Sequence, residues 1–403
     1  MALADVPAIL ILAGLAAYIV LAGADFGAGL WYLLAGPGRG GRAVRDFTYH
    51  AMAPVWEANH VWLIFVLVVT WTAYPTVFGS IASTLALPLF IAALGIIMRG
   101  TAYALRSGAA VDRETEGATG FVFGASSILT PFALGLCIGA IASGRVPVGN
   151  ARGDLVTSWF NPTSMLIGVM AVASAGYLAA VYLSGDAARS GETALARAFA
   201  RRALAMGAVA GALAVGGLFV LRSDARPLFD DLTSGAGLAA VLLSALAGLV
   251  TMALVQSGRP EPARLSAALA VAAIVAGWGV AQHPVLLPGL TIDEAAAERS
   301  VLVALLVSVA VGLAILIPSL LLLWGLVLRG RFDEAGPVVA EALVPRVRPV
   351  ARGLVVLIAG LLVVGVVATL VGGGAVLALG VIALLGFVAI AAVALLRPEP
   401  PSG

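Results

Sequence analysis

The chain has 403 residues, of which 61% are hydrophobic and 11% charged, with a formal net charge of +2. Soluble domains carry roughly 25% charged residues, and no soluble core of this size hides so much apolar surface, so the solvent for most of this chain must be lipid. The small net charge excludes nucleic-acid binding through a basic excess, and the single cysteine, Cys137, excludes an intrachain disulfide or a CxxC site.

Taken in chain order, runs of about 20 apolar residues recur, each long enough to cross roughly 30 Å of hydrocarbon at 1.5 Å per residue. They predict spans over 8–34, 50–71, 76–104, 118–142, 158–184, 198–221, 235–256, 263–283 and 300–328. The segment before the first run carries Asp5 and no basic residue, so that run is expected to be a retained span and not a cleaved signal. From Gly353 to Leu396 there is no charge, and Gly372, Gly373 and Gly374 split the stretch into two pieces that read as a helical hairpin. The expected fold class is therefore all-α, a polytopic membrane bundle of about 11 transmembrane helices. Its domains are a helical membrane domain over 1–332, a cytoplasmic linker over 333–352 and a C-terminal hairpin over 353–403. No Walker pattern, GxSxG elbow or other Gly-rich phosphate loop is present.

All basic residues are arginines, and their distribution predicts orientation. Connections after odd-numbered spans, with the tail, hold seventeen, and connections after even-numbered spans hold five. The N-terminus is thus expected outside and the C-terminus in the cytoplasm.

Ionisable residues within spans each carry an insertion penalty of about 2.5–3.5 kcal/mol. Asp25 lies in the first span, Glu57 and His60 in the second and Arg99 in the third. Counting from the span ends puts all four roughly 8–15 Å from the cytoplasmic boundary, and Glu57 and His60, three apart, share a helix face. One reading is a structural ion pair in which Asp25 or Glu57 neutralises Arg99. The other is a hydrophilic proton path from the cytoplasm, and the two are compatible. A third reading makes His60 a heme ligand. His50 reads as interfacial and His283 as a neighbour of the eighth span's end. Trp71 and Tyr74 fit an interfacial aromatic belt, whereas Trp56 and Trp62 lie beside the buried charges, packed against a helix or a cofactor-bearing partner.

These residues carry a family resemblance. Gly23-Ala24-Asp25-Phe26-Gly27-Ala28-Gly29 resembles the GFDxGxG segment of the first helix of cytochrome bd-type quinol oxidase subunit II. Ala53-Pro54-Val55-Trp56-Glu57-Ala58-Asn59-His60-Val61-Trp62-Leu63 is similar to that family's APxWDGNxxWL pattern, and Arg99 in Met98-Arg99-Gly100 falls where the family has an arginine. Phe160-Asn161-Pro162, Pro131 and Ile317-Pro318 extend the likeness over about 1–332.

The resemblance implies a non-heme subunit of a membrane complex that reduces O2 to water with quinol, with chemical protons drawn from the cytoplasm. Hemes b and d would belong to the partner, subunit I, and none is expected on this chain. Some family members hold a structural quinone or an O2 conduit here, or add a small accessory subunit; quinol, quinone and lipids are the other expected partners. Carried over by position, Asp25, Glu57 and Arg99, with His60 beside them, would serve the proton path, and Trp62 would line the O2 route. Glu57 stands where the family has Asp, Ala58 where it has Gly, and the final hairpin exceeds the family's nine helices. The alternatives are a proton-coupled transporter, for which paired interrupted helices in two similar halves would be the signal, or a bd-like assembly with different chemistry.

Overall fold

The computed structural model describes residues 2–52, 56–108, 113–328 and scattered positions between 353 and 390. Among the described residues up to 328 there are thirteen helices: α1 Asp5–Leu33, α2 Gly38–Met52, α3 Trp56–Ala73, α4 Pro75–Thr84, α5 Ala86–Gly108, α6 Arg113–Ala142, α7 Pro162–Arg189, α8 Thr193–Asp224, α9 Arg226–Leu232, α10 Gly235–Gln256, α11 Pro260–Gln282, α12 Ile292–Ala295 and α13 Arg299–Leu328. A two-stranded hairpin, β1 Val285–Leu287 and β2 Leu290–Thr291, precedes α12. Among the described residues eight helices are long and apolar enough to cross a membrane, with the shorter apolar helix Ala58–Ala73 beside them. The all-α membrane bundle is therefore observed. The two further spans expected after residue 353 fall on positions of which only some are described, and those are helical.

Two units make up the chain, Met1–Arg106 with Val111–Val327, and Ser107–Ala110 with Leu328–Gly403. The expected linker over 333–352 lies outside the described residues. In the first unit α7 packs along α1, α6 and α8. Its core gathers Ala24, Ala28, Trp31, Leu178, Phe199 and Ala267. The Trp31 indole N–H donates to the Gly176 carbonyl at 2.8 Å, tying α1 to α7. Between α10 and α11 the glue is hydroxyl to backbone, Ser244 to Ala270 O at 2.7 Å and Ser266 to Ala247 O at 2.8 Å, as suits helices that gain little from apolar contact in lipid. Outward, Phe219, Leu249, Val311, Ile315 and Leu321 are exposed, a surface that only acyl chains solvate well.

Three boundaries differ from the sequence expectation. The predicted span 50–71 begins at Trp56, because His50 belongs to α2, which is amphipathic: Gly41, Val44 and Thr48 are buried while Arg39, Arg42 and Asp46 face out. The predicted span 76–104 is divided at Leu85 into α4 and α5. Pro88 explains the break, since it offers no N–H to the carbonyl of Thr84 four residues back and its ring crowds that carbonyl. The span expected from residue 158 starts at Pro162. Asn161 is its N-cap, accepting a hydrogen bond from the Ser164 backbone N–H at 2.9 Å, and Pro162 supplies a first-turn φ.

Tyr74 corrects the aromatic-belt expectation. It is 1% exposed and its hydroxyl donates to the Ala4 carbonyl at 2.5 Å, locking the start of α1 onto the end of α3. Trp71 is exposed, stacked on Phe78 with ring centroids 5.6 Å apart. At that same end Arg145 holds Asp224 with two hydrogen bonds of 3.2 and 2.6 Å. Thr163 adds its N–H at 3.1 Å and its hydroxyl at 2.6 Å, joining α6, α7 and α8.

Candidate functional site

The site is built on α1, α3, α5 and α6. Asp25 and Arg99 are both fully buried and form an ion pair, Arg99 Nη2 to Asp25 Oδ1, at 2.6 Å. The same nitrogen donates to the Asp25 backbone carbonyl at 2.9 Å, and Arg99 Nη1 donates to the Ser127 hydroxyl. Three rings enclose the guanidinium, with its carbon 4.5 Å from the centroid of Phe123, 5.1 Å from Phe26 and 5.4 Å from Tyr103. Aromatic faces stabilise a cation best where water is excluded, so the cage supports the charge that Asp25 balances.

Small residues make this possible. A side chain at Gly27 would run into the Ala175 carbonyl and stand 2.8 Å from the Ala179 Cβ, so α1 and α7 touch backbone to backbone. A side chain at Gly29, one turn beyond Asp25, would overlap the Ser127 side chain and stand 3.0 Å from Arg99 Nη1. The GADFGAG segment thus places the acid and clears the space for its cation and for Ser127. On α6, Pro131 lies inside the helix four residues after Ser127. It leaves the Ser127 carbonyl without its helical donor and loosens the ladder where Arg99 arrives.

His60 sits against the edges of Tyr18 and Phe26, each ring centroid 6.0 Å away, and within electrostatic reach of Asp25. Asn59 is buried, its amide donating to the Leu21 carbonyl at 3.4 Å. Trp62 is partly buried against Tyr18, Ala22 and Phe26, with the Phe65 ring 6.2 Å away. The Glu57 backbone is helical, one turn before His60, and the side chain lies outside what is described. Of the five residues singled out from sequence, Asp25, Arg99, His60 and Trp62 therefore gather around Phe26, and Glu57 leads toward them along α3. Ser127, Tyr103, Phe123, Phe26 and Tyr18 complete the site. Pro131 marked the region of Ser127, Phe26 stands within the glycine-rich segment beside Asp25, and Tyr103 follows Arg99 by one helical turn, whereas Tyr18 and Phe123 carry no local signal.

The second oxygen of Asp25, Oδ2, and the Tyr18 hydroxyl are buried without a hydrogen-bond partner among the described residues. Buried polar atoms of this kind ordinarily pair with protein or with ordered water. The three histidines do not converge. His50 is exposed on α2 with Nδ1 2.7 Å from the Asp46 carbonyl, and His283 lies beside Asp5 at 3.6 Å. Among the described residues no group of three or more His, Cys, Asp or Glu is placed to hold a metal ion.

Comparison with known proteins gives the family. A Bacillus subtilis (strain 168) protein described as a cytochrome bd menaquinol oxidase subunit II is 22% identical over 324 residues, covering 78% of this chain and 92% of its own. A chain in the structure of the bd oxidase from Geobacillus thermodenitrificans aligns with a TM-score of 0.64 at 25% identity, over 81% of this chain and 99% of that one. The family model for cytochrome bd terminal oxidase subunit II matches residues 3–327, and the chain belongs to that family, as one subunit of a heme-containing oxidoreductase complex in the membrane.

Proposed function

We propose that this chain is the non-heme subunit of a membrane quinol:O2 oxidoreductase and that the acids of its first two spans carry protons from the cytoplasm toward the partner subunit. The arginine excess on the connections after odd-numbered spans supports an N-terminus outside and a C-terminus inside. Hemes in subunit I would pass electrons from quinol to O2; the residues here act on the protons. Arg99 is committed to the ion pair, its guanidinium spent on Asp25 and Ser127. It serves to keep Asp25 in place within low dielectric. The relay then runs over Glu57, His60 and Asp25. The supporting observation is Asp25 itself: one oxygen is pinned by Arg99, and the other is buried with no donor among the described residues, an arrangement that water bridging to His60 would satisfy. Trp62, on the same cluster, lines the route we assign to O2.

The test is Glu57→Gln in the complex purified with its heme-bearing partner. Reduced-minus-oxidised spectra should show the wild-type heme content, while quinol-dependent O2 uptake slows by roughly tenfold or more, as for loss of a positioned proton donor. Normal turnover would overturn the relay. Loss of the complex, with no slow enzyme surviving, would leave Glu57 a structural role only.

A further inference from the structure

A cavity of about 800 Å3 opens at the arginine-rich end of the bundle, between the end of α7, the start of α8, the end of α10 and the start of α11. Arg197, Arg201 and Arg259 line it, all exposed. Arg197 and Arg201 are one turn apart on α8, where like charges repel unless an anion intervenes. Two nearby carboxylates, Asp186 and Glu261, are committed elsewhere, and Glu192, at the N-cap of α8, lies beyond ion-pair distance of the lining arginines. Asp186 pairs with Arg189 and, at 2.5 Å, with Arg264, and Glu261 pairs with Arg189 at 2.5 Å. Among the described residues no carboxylate lies within ion-pair distance of the three lining arginines. Arg197 directs only its Nε inward to its own helix, 3.3 Å from the Thr193 carbonyl. Beneath the cations the wall turns apolar, with Ala200, Leu204 and Val255 descending into the span.

We infer that this cavity binds an anionic phospholipid, its phosphodiester held by Arg197, Arg201 and Arg259 and an acyl chain laid along Ala200, Leu204 and Val255. A guanidinium cluster matches phosphate oxygens in charge and in fork geometry, and basic pockets between membrane helices suit lipid headgroups. A free phosphate would meet the same arginines but would gain nothing from the apolar floor, which distinguishes the two sources.

The complete chain, reconstituted into nanodiscs of phosphatidylcholine with a minority of phosphatidylglycerol, is released into mild detergent, and retained lipid is counted by native mass spectrometry. Phosphatidylglycerol should be enriched on the wild type. Arg201→Gln with Arg259→Gln should weaken retention about 25-fold, roughly fivefold for each cation near the surface. Ala200→Phe, which fills the floor and spares the arginines, should also lower lipid retention while added inorganic phosphate still binds. Leu204→Asn serves the same purpose should Ala200→Phe not fold. Equal retention of both lipids, or unchanged retention in the arginine variant, would overturn the inference. Displacement of the lipid by inorganic phosphate with both floor variants silent would reassign the cavity to a soluble anion and overturn it as well.

Discussion

Replacing Arg99 by alanine should destabilise the bundle more than any other single truncation in the site, and by an amount that depends on pH. The substitution removes the hydrogen bonds to Asp25 Oδ1, to the Asp25 carbonyl and to Ser127 Oγ, together with the contacts to three rings. Breaking a buried pair from one side typically costs about 3–5 kcal/mol, because the remaining charge is stranded. Asp25 can limit that loss by taking up a proton. That uptake becomes easier by about 1.4 kcal/mol for each unit of acidification. The defect should therefore be near 4 kcal/mol at pH 7, a large share of the ~5–15 kcal/mol that holds a domain together, and should shrink toward pH 5. Cys137, the chain's one cysteine and 5% exposed on α6, provides the assay: a thiol-reactive fluorophore reports its exposure during a thermal ramp. In Arg99→Ala combined with Asp25→Asn, no charge remains to strand, so this double variant should unfold later than Arg99→Ala alone at pH 7. Should the single variant melt with the wild type, or should the double variant be no better and the defect ignore pH, the pair would not be the electrostatic lock argued above.

Three further outcomes follow from other parts of the bundle. Gly27→Ala forces α1 away from the Ala175 carbonyl, an overpacking that should cost about 1–3 kcal/mol or more and lower the same thermal midpoint. Asn161→Ala removes the N-cap of α7 and should cost about 1 kcal/mol, visible as a smaller midpoint shift with oxidase turnover retained. Glu294 accepts hydrogen bonds from the Thr291 backbone N–H and hydroxyl, which hold its carboxyl below the usual range. Because the folded value is the lower one, this stabilisation is present above the unfolded value and is lost as pH falls through the folded one. The protection of the amides across residues 292–295, measured as exchange relative to the unstructured peptide at the same pH, should accordingly fall on acidification below the ordinary glutamate range and hold on alkalinisation.

The spans were legible because lipid imposes a crude requirement, enough apolar length, that a single sequence states openly. Their interruptions were not. Hydropathy is blind to Pro88, yet its missing N–H divides a continuous apolar run into α4 and α5. Tyr74 looked interfacial by position alone, since nothing local reveals that Ala4, seventy residues earlier, takes its hydroxyl. In the site, the ionisable residues announced themselves through the penalty for burying them, and Asp25 and Arg99 proved to be partners. Ser127 did not stand out, because membrane-helix serines commonly bond back to their own helix, as this one also does to the Phe123 carbonyl at 2.5 Å. The ring cage around Arg99 takes Tyr103 from one turn along its own helix, but Phe26 and Phe123 come from two other helices, and no sequence spacing encodes that meeting.

The structural and the proton-carrying readings of this site divide the labour between residues. A guanidinium, which offers five fixed N–H donors and no acceptor, is well suited to fixing a level in the membrane and poorly suited to passing protons. Arg99 satisfies that description, being spent on Asp25, Ser127 and the aromatic cage. A relay needs groups that can both accept and donate a proton, which leaves the carboxylates and His60. The lock and the path then share Asp25 alone, through different oxygens. Oδ1 is held by Arg99, and Oδ2 has no donor among the described residues. Asp25→Asn cannot separate the two roles, since it weakens both. Glu57 and Arg99 can: loss of the first should slow O2 reduction in a complex that still assembles, and loss of the second should unfold a chain whose acids are all intact.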